Sequence, residues 1–153
     1  MRVAHKSSVL VIAIVLLLLL LLAPRHGQGQ QVQDFGDYVV HYNAISTEQL
    51  PAAAAKNYGI ERSDRRGLIN IAIERKASGE THMVGADVSA EVSDLAGHRT
   101  PIRLRETNEA GEIDYLGDFA LDGSGAYVFT VKVTPPGHAQ PYVLRFNHDY
   151  VID

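Results

Sequence analysis

The sequence predicts an all-β fold: an antiparallel sandwich of about seven short strands, with one short helix between the first two. Three observations carry this reading. Apolar residues recur at every second position in seven separate stretches, the spacing that puts alternate side chains on one face of a strand. Turn-forming clusters separate those stretches, and only one segment reads as helix.

Residues 1–29 precede the fold. Arg2 and Lys6 form a basic start, and an unbroken apolar run follows from Val9 to Ala23. That is the pattern of a secretory signal peptide. Fifteen helical residues rise about 22 Å, short of a ~30 Å hydrocarbon core. Cleavage near Gly27-Gln28-Gly29 is the expectation, with an uncleaved inner-membrane anchor as the alternative. The domain then spans residues 30–153.

"FGDYVVHYNAI" (35–45) opens it, with Tyr38, Val40, Tyr42 and Ala44 on one face and His41 and Asn43 on the other. The first set is expected in the core and His41 at the solvent face. A helix follows, capped by Ser46 or Thr47, with Pro51 in its first turn and a left-handed stop at Gly59. Its alanines carry little apolar mass, so it is expected to lie across a sandwich edge. Further strands run through Ile69, Ile71 and Ile73, from Met83 to Val92, and through Ile102 and Leu104. Another joins Ile113, Tyr115, Phe119 and Leu121, with Gly117 as a bulge or close contact. The last two run from Tyr127 to Val133 and from Tyr142 to Tyr150. The turns between them are "SGE", "LAGH", "NEAGE", "DGSG" and "TPPGH". Tyr127 starts a strand after a Gly-rich corner, two residues before Phe129. Immunoglobulin-like domains place a tyrosine there, its hydroxyl bonded back to nearby backbone, so the sandwich is expected to be immunoglobulin-like.

Composition limits the partners. There is no cysteine, which removes disulfides and thiolate metal sites together. The 124 residues after Gly29 (153 − 29) suffice for one core. They hold 11 Lys+Arg and 18 Asp+Glu, a net charge of −7 (11 − 18). With no basic stripe, nucleic acid is not an expected partner, and membrane is expected only if the leader is uncleaved.

"FGDYVVHYNAI", "LPAAAAKNYGIERS", "RGLINIAIER" and the closing "GAYVFTVKVTPPGHAQPYVLRFNHDYV" resemble the bacterial family called domain of unknown function 4426. The likeness covers nearly all of Phe35 to Ile152. Tyr42-Asn43-Ala44, Tyr58-Gly59-Ile60, Arg62-Ser63 and Asn70 are its most specific parts. It implies a small exported protein of proteobacteria and brings no catalytic or binding residues with it.

The residues themselves lack enzyme signatures. Gly123-Ser124-Gly125 sits in a turn without nucleophile-elbow spacing, and neither a zinc-protease motif nor a phosphate loop is present. Two candidate sites are left. Asn43, Arg62, Ser63 and Asn70 form a polar set; asparagine is disfavoured within strands, so its amides either tie down the connection or recognise a ligand. His41, His82, His98, His138 and His148, with Met83 beside His82, would suit copper, yet no pair has chelating spacing. The expectation is a non-enzymatic periplasmic binding or scaffolding module for an envelope protein or small ligand, without a cofactor. A histidine-based copper or other metal module is the alternative.

Overall fold

Strand alternation decides which side chains meet. The computed structural model describes residues 30–153, so the expected signal peptide lies outside the described residues. In β2 (Tyr38–Ser46) and its antiparallel partner β3 (Arg66–Ala77), Val40 faces Ile73, Tyr42 faces Ile71 and Ala44 faces Ile69. Two sheets bury such rows against each other. The larger has the order β1-β2-β3-β8-β7, with β1 at Gln31–Asp34, β8 at Glu112–Ala120 and β7 at Arg105–Glu109; β4 (Glu80–Met83) also pairs with β3. The smaller has the order β10-β9-β5-β6, from Tyr142–Tyr150, Gly125–Thr134, Asp87–Ser93 and Arg99–Ile102. Every pairing is antiparallel.

Ten strands therefore stand where seven were expected. β1 is a short, exposed addition whose polar residues give no alternation. The other two arise because the chain changes sheets within a single alternating run. Between β4 and β5 it crosses at Val84–Ala86, where the Tyr115 hydroxyl accepts the Ala86 N–H at 2.8 Å. Between β6 and β7 it crosses at Arg103–Leu104. Gly117 lies beneath that second crossing: a Cβ there would stand 2.5 Å from Ile102 Cγ2 and 3.0 Å from the Arg103 carbonyl. The close contact expected at Gly117 is a chain crossing.

Phe129 is the centre of the core, fully buried, stacked on Phe146 at 4.8 Å and edge-on to Phe119 at 5.5 Å. Tyr38, Val40, Ile69, Ile71, Val131 and Phe146 are buried as the alternation predicts. Tyr42 and Val88 are only half-buried. Tyr42 covers Phe146 (4.5 Å) from the side of the edge strand β10, and Val88 is the second residue of β5, where the sheets begin to part. Tyr127 Oη accepts the Asp122 and Gly123 N–H groups and donates to the Gly123 carbonyl at 3.0 Å, the back-bonding its position predicts.

The connection after β2 departs from expectation in two ways. Ser46 caps a separate 3-10 turn, Thr47–Gln49, accepting the Glu48 N–H at 3.3 Å. Pro51 holds Leu50 extended and so divides that turn from helix α1 (Ala52–Tyr58). Because β1 precedes the opening stretch, the helix falls between the second and third strands instead of the first two. Gly59 ends it in the left-handed region, φ 63°, and the Ile60 N–H returns to the Ala55 carbonyl at 2.8 Å. The second correction concerns where α1 lies. It covers the outer face of the larger sheet rather than an edge, because Ile60, Leu68 and Leu116 form a small second core there with Ile45, Leu50 and Tyr58.

Candidate functional site

The register of β2 and β3 sets Asn43 directly opposite Asn70 on the outer face of the larger sheet. Across β3, Asn70 is paired with Leu116 of β8, and Leu116 with Arg105 of β7. Tyr58 comes from the last turn of α1 and Leu50 from the link before it. Together with Ile45, Leu68 and Asp114 they enclose a cavity of about 180 Å³ between helix and sheet.

Its polar side chains are Asn43, Asn70, Asp114 and Tyr58. Asn70 Oδ1 is buried and has no hydrogen-bond partner among the described residues. Leaving such a group unpaired costs about 1–3 kcal/mol, so it calls for a donor. Asp114 adds a half-buried carboxylate. The Tyr58 hydroxyl donates to Glu109 Oε1 at 3.1 Å; that bond first, then burial and the charges of Glu109 and Asp114, hold the phenol above its usual range. Arg105 Nη1 donates to the Tyr58 carbonyl at 2.8 Å, capping the helix C-terminus.

Of the four polar residues singled out in the sequence, the cavity gathers two. Asn43 and Asn70 line it; Arg62 and Ser63 fasten the connection instead. Ser63 donates its N–H to Thr47 Oγ1 at 3.0 Å and accepts the Thr47 hydroxyl at 3.1 Å, which satisfies a threonine buried completely. Arg62 Nη2 donates to the Glu48 carbonyl at 2.8 Å. Sequence reasoning missed Tyr58, Asp114 and Leu116. The available signal was Leu116 itself, an apolar residue in the outward phase between Asp114 and Asp118, which marks a face covered by something other than water.

The histidines are dispersed. His41, expected in solvent, is half-buried with Nε2 2.9 Å from Glu74 Oε2, and bonds from Thr81 and then His41 hold the Glu74 carboxyl below its usual range. His82 reaches Glu80 and His98 reaches Asp94. His138 lies edge-on to Tyr38 and His148 against Tyr150. Among the described residues, no three His, Cys, Asp or Glu side chains converge as a cation site. A second depression of about 240 Å³, between the turns at Asp94–Ala96 and Asp122–Ala126, is larger but open and built mainly of turn residues. There the Ser124 hydroxyl accepts the Ile152 N–H at 2.9 Å and fastens the end of the chain.

Two antiparallel sheets face to face, with one helix over a cavity on the outer face, define a small β-sandwich protein. The chain belongs to the DUF4426 family, a domain of unknown function, whose family model matches residues 32–153. It is similar to a DUF4426 family protein of Pseudomonas aeruginosa known from its crystal structure: 34% identity, 84% of this chain, 99% of that chain, TM-score 0.69. It shares its fold with FetP of a uropathogenic Escherichia coli. A copper-bound FetP variant has 11% identity over 81% of this chain and 96% of that one, TM-score 0.58. FetP as isolated after periplasmic expression has 12% identity over 80% and 93%, TM-score 0.55. No curated protein matches the chain. No helix among the described residues is long and apolar enough to cross a membrane.

Proposed function

We propose that the protein is a non-enzymatic binding or scaffolding module of the bacterial envelope, exported to the periplasm, with the cavity under α1 as its binding site. One observation carries this: an unpartnered, buried Asn70 Oδ1 in the wall of a cavity whose other side is the apolar Ile45, Leu50, Leu68 and Leu116. The polar group supplies orientation and the apolar wall supplies burial, the usual division of labour in a small-ligand site. The basic and leucine-rich leader supports export, and the net charge of −7 after residue 29 argues against nucleic acid as partner. The back-bonded Tyr127 supports an immunoglobulin-like reading of the sandwich.

The test is a fragment screen by amide NMR. Hits are expected to move the amides of Asn43, Tyr58, Asn70 and Asp114 together; hits that map only elsewhere count against the site. Export is checked by amino-terminal sequencing of an osmotic-shock fraction, expected to begin near Gln30. Recovery only in membranes with Met1 intact would support the inner-membrane anchor.

A second reading, copper or another metal held by histidine, has one specific observation behind it. His41 meets Glu74, and Met83 stands directly across the β3–β4 pair from Glu74, so imidazole, carboxylate and thioether share one outer face. A copper titration followed by thermal melting checks it. A copper-dependent rise that disappears in His41→Ala would promote this reading, since a ligand bound only by the native state stabilises it by mass action.

A further inference from the structure

We infer that the cavity under α1 takes a primary ammonium group on a short alkyl stem, as in a lysine side chain or a free alkylamine. This rests on the reading that the cavity is the binding site and adds the chemistry of the ligand.

Hydrogen-bond bookkeeping points to a donor. Asn70 Oδ1 is an acceptor without a partner, and Asp114 supplies a carboxylate in the same wall. An ammonium has three donors and no acceptor, so it answers both. An anion would face Asp114 directly. The wall also contains the Tyr58 ring, whose face favours cations. Glu109, bonded to the Tyr58 hydroxyl, adds a further negative charge nearby.

Size fixes the stem. The space is small, about 180 Å³, so a short stem such as that of pentylamine is enough to line its walls. Ile45, Leu68 and Leu116 give its methylenes an apolar surface, while Asn70 and Asp114 are left for the nitrogen. A bare metal ion would leave those apolar walls unused.

The experiment is an amide NMR titration of the protein purified after export, with n-pentylamine, n-pentanol and pentanoate as length-matched probes. Pentylamine is expected to move the amides of Asn43, Tyr58, Asn70 and Leu116, pentanol to bind at least about tenfold more weakly, and pentanoate not to bind there. Asn70→Leu and Asp114→Asn should each weaken the amine on the order of tenfold, equivalent to about 1.4 kcal/mol. The second variant keeps nearly the shape of the native side chain, so a folding defect in the first leaves the proposal testable. Lysine with blocked amino and carboxyl ends separates the sources: binding as tight as pentylamine indicates a protein side chain, and binding of pentylamine alone indicates a free amine. Pentanol binding as tightly as pentylamine, or full amine affinity in both variants, overturns the ammonium and leaves the cavity reading intact. No response at the cavity to any probe overturns both.

Discussion

Truncating Phe129 to alanine tests the core where the packing is tightest. The ring is fully buried, with Phe146 stacked on it at 12° and Phe119 meeting its edge at 68°. Removing it strips two aromatic neighbours, Phe119 and Phe146, of contact at one stroke. Core truncations of this size cost about 3–5 kcal/mol. At roughly 2.1 cal/mol/K of unfolding entropy per residue, 124 residues give about 0.26 kcal/mol/K, so a 4 kcal/mol loss lowers Tm by about 15 °C. That is a large part of the ~5–15 kcal/mol a domain usually has, so Phe129→Leu, which keeps part of the buried volume and is expected to cost less than the alanine, serves as the milder companion. Urea titration monitored by near-ultraviolet circular dichroism reads both. An alanine variant within about 1 kcal/mol of wild type, with unchanged m-value, would refute the placement of Phe129 between the sheets.

Further expectations concern single contacts. Tyr42→Ala should cost about 2 kcal/mol, less than full burial would give, because its ring covers Phe146 from the half-open side; thermal melting checks it. His41→Ala should cost no more than about 1 kcal/mol in the same assay, the range of partly exposed ion pairs, with Thr81 still holding Glu74. Gly117→Ala should destabilise by about 1–3 kcal/mol, because its Cβ meets a backbone carbonyl that cannot step aside. Gly123→Ala, with open space around it, should be near neutral, and equal effects at the two glycines would contradict the crossing. His148 should titrate below 6.5, since burial disfavours its charged form, although Asp149 pulls the other way. The unfolded chain then takes up the proton first, so stability falls as pH drops below 6.5 and stops falling once the folded imidazole is also protonated. Imidazole proton shifts against pH, with His148→Phe melts as the comparison, measure it.

Alternation made the inner faces legible because it is a local property: Val40, Ile71, Phe129 and Val131 announce their burial within five residues of sequence. Gly59 was equally legible, since only its left-handed conformation closes α1. The sheet changes at Val84–Ala86 and Arg103–Leu104 were not, because a strand can bend from one sheet to the other without losing its two-residue period. The outer-face cavity was half legible. Asn43 and Asn70 stood out as asparagines in strands, but their juxtaposition depends on a register set by the whole β2–β3 pair. Arg62 and Ser63 lay close by in sequence and were drawn into the same set, whereas the Glu48 carbonyl claims Arg62 and the Thr47 hydroxyl claims the Ser63 backbone. Asp114 comes from a strand more than 40 residues beyond Asn70, a separation no local pattern spans.

The crossing above Gly117 bears on how the chain assembles. β4 and β8 lie along the same side of β3, yet between them the chain leaves for the other sheet, forms β5 and β6, and returns as β7. Neither sheet is therefore continuous in sequence, and the larger one closes on β7 and β8 only after the chain has passed through the other. Closing such distant pairings is slow compared with forming neighbouring hairpins, which places this topology among millisecond-to-second folders. A chain stopped before β8 would leave β3 without its central neighbour and the space under α1 without one of its walls.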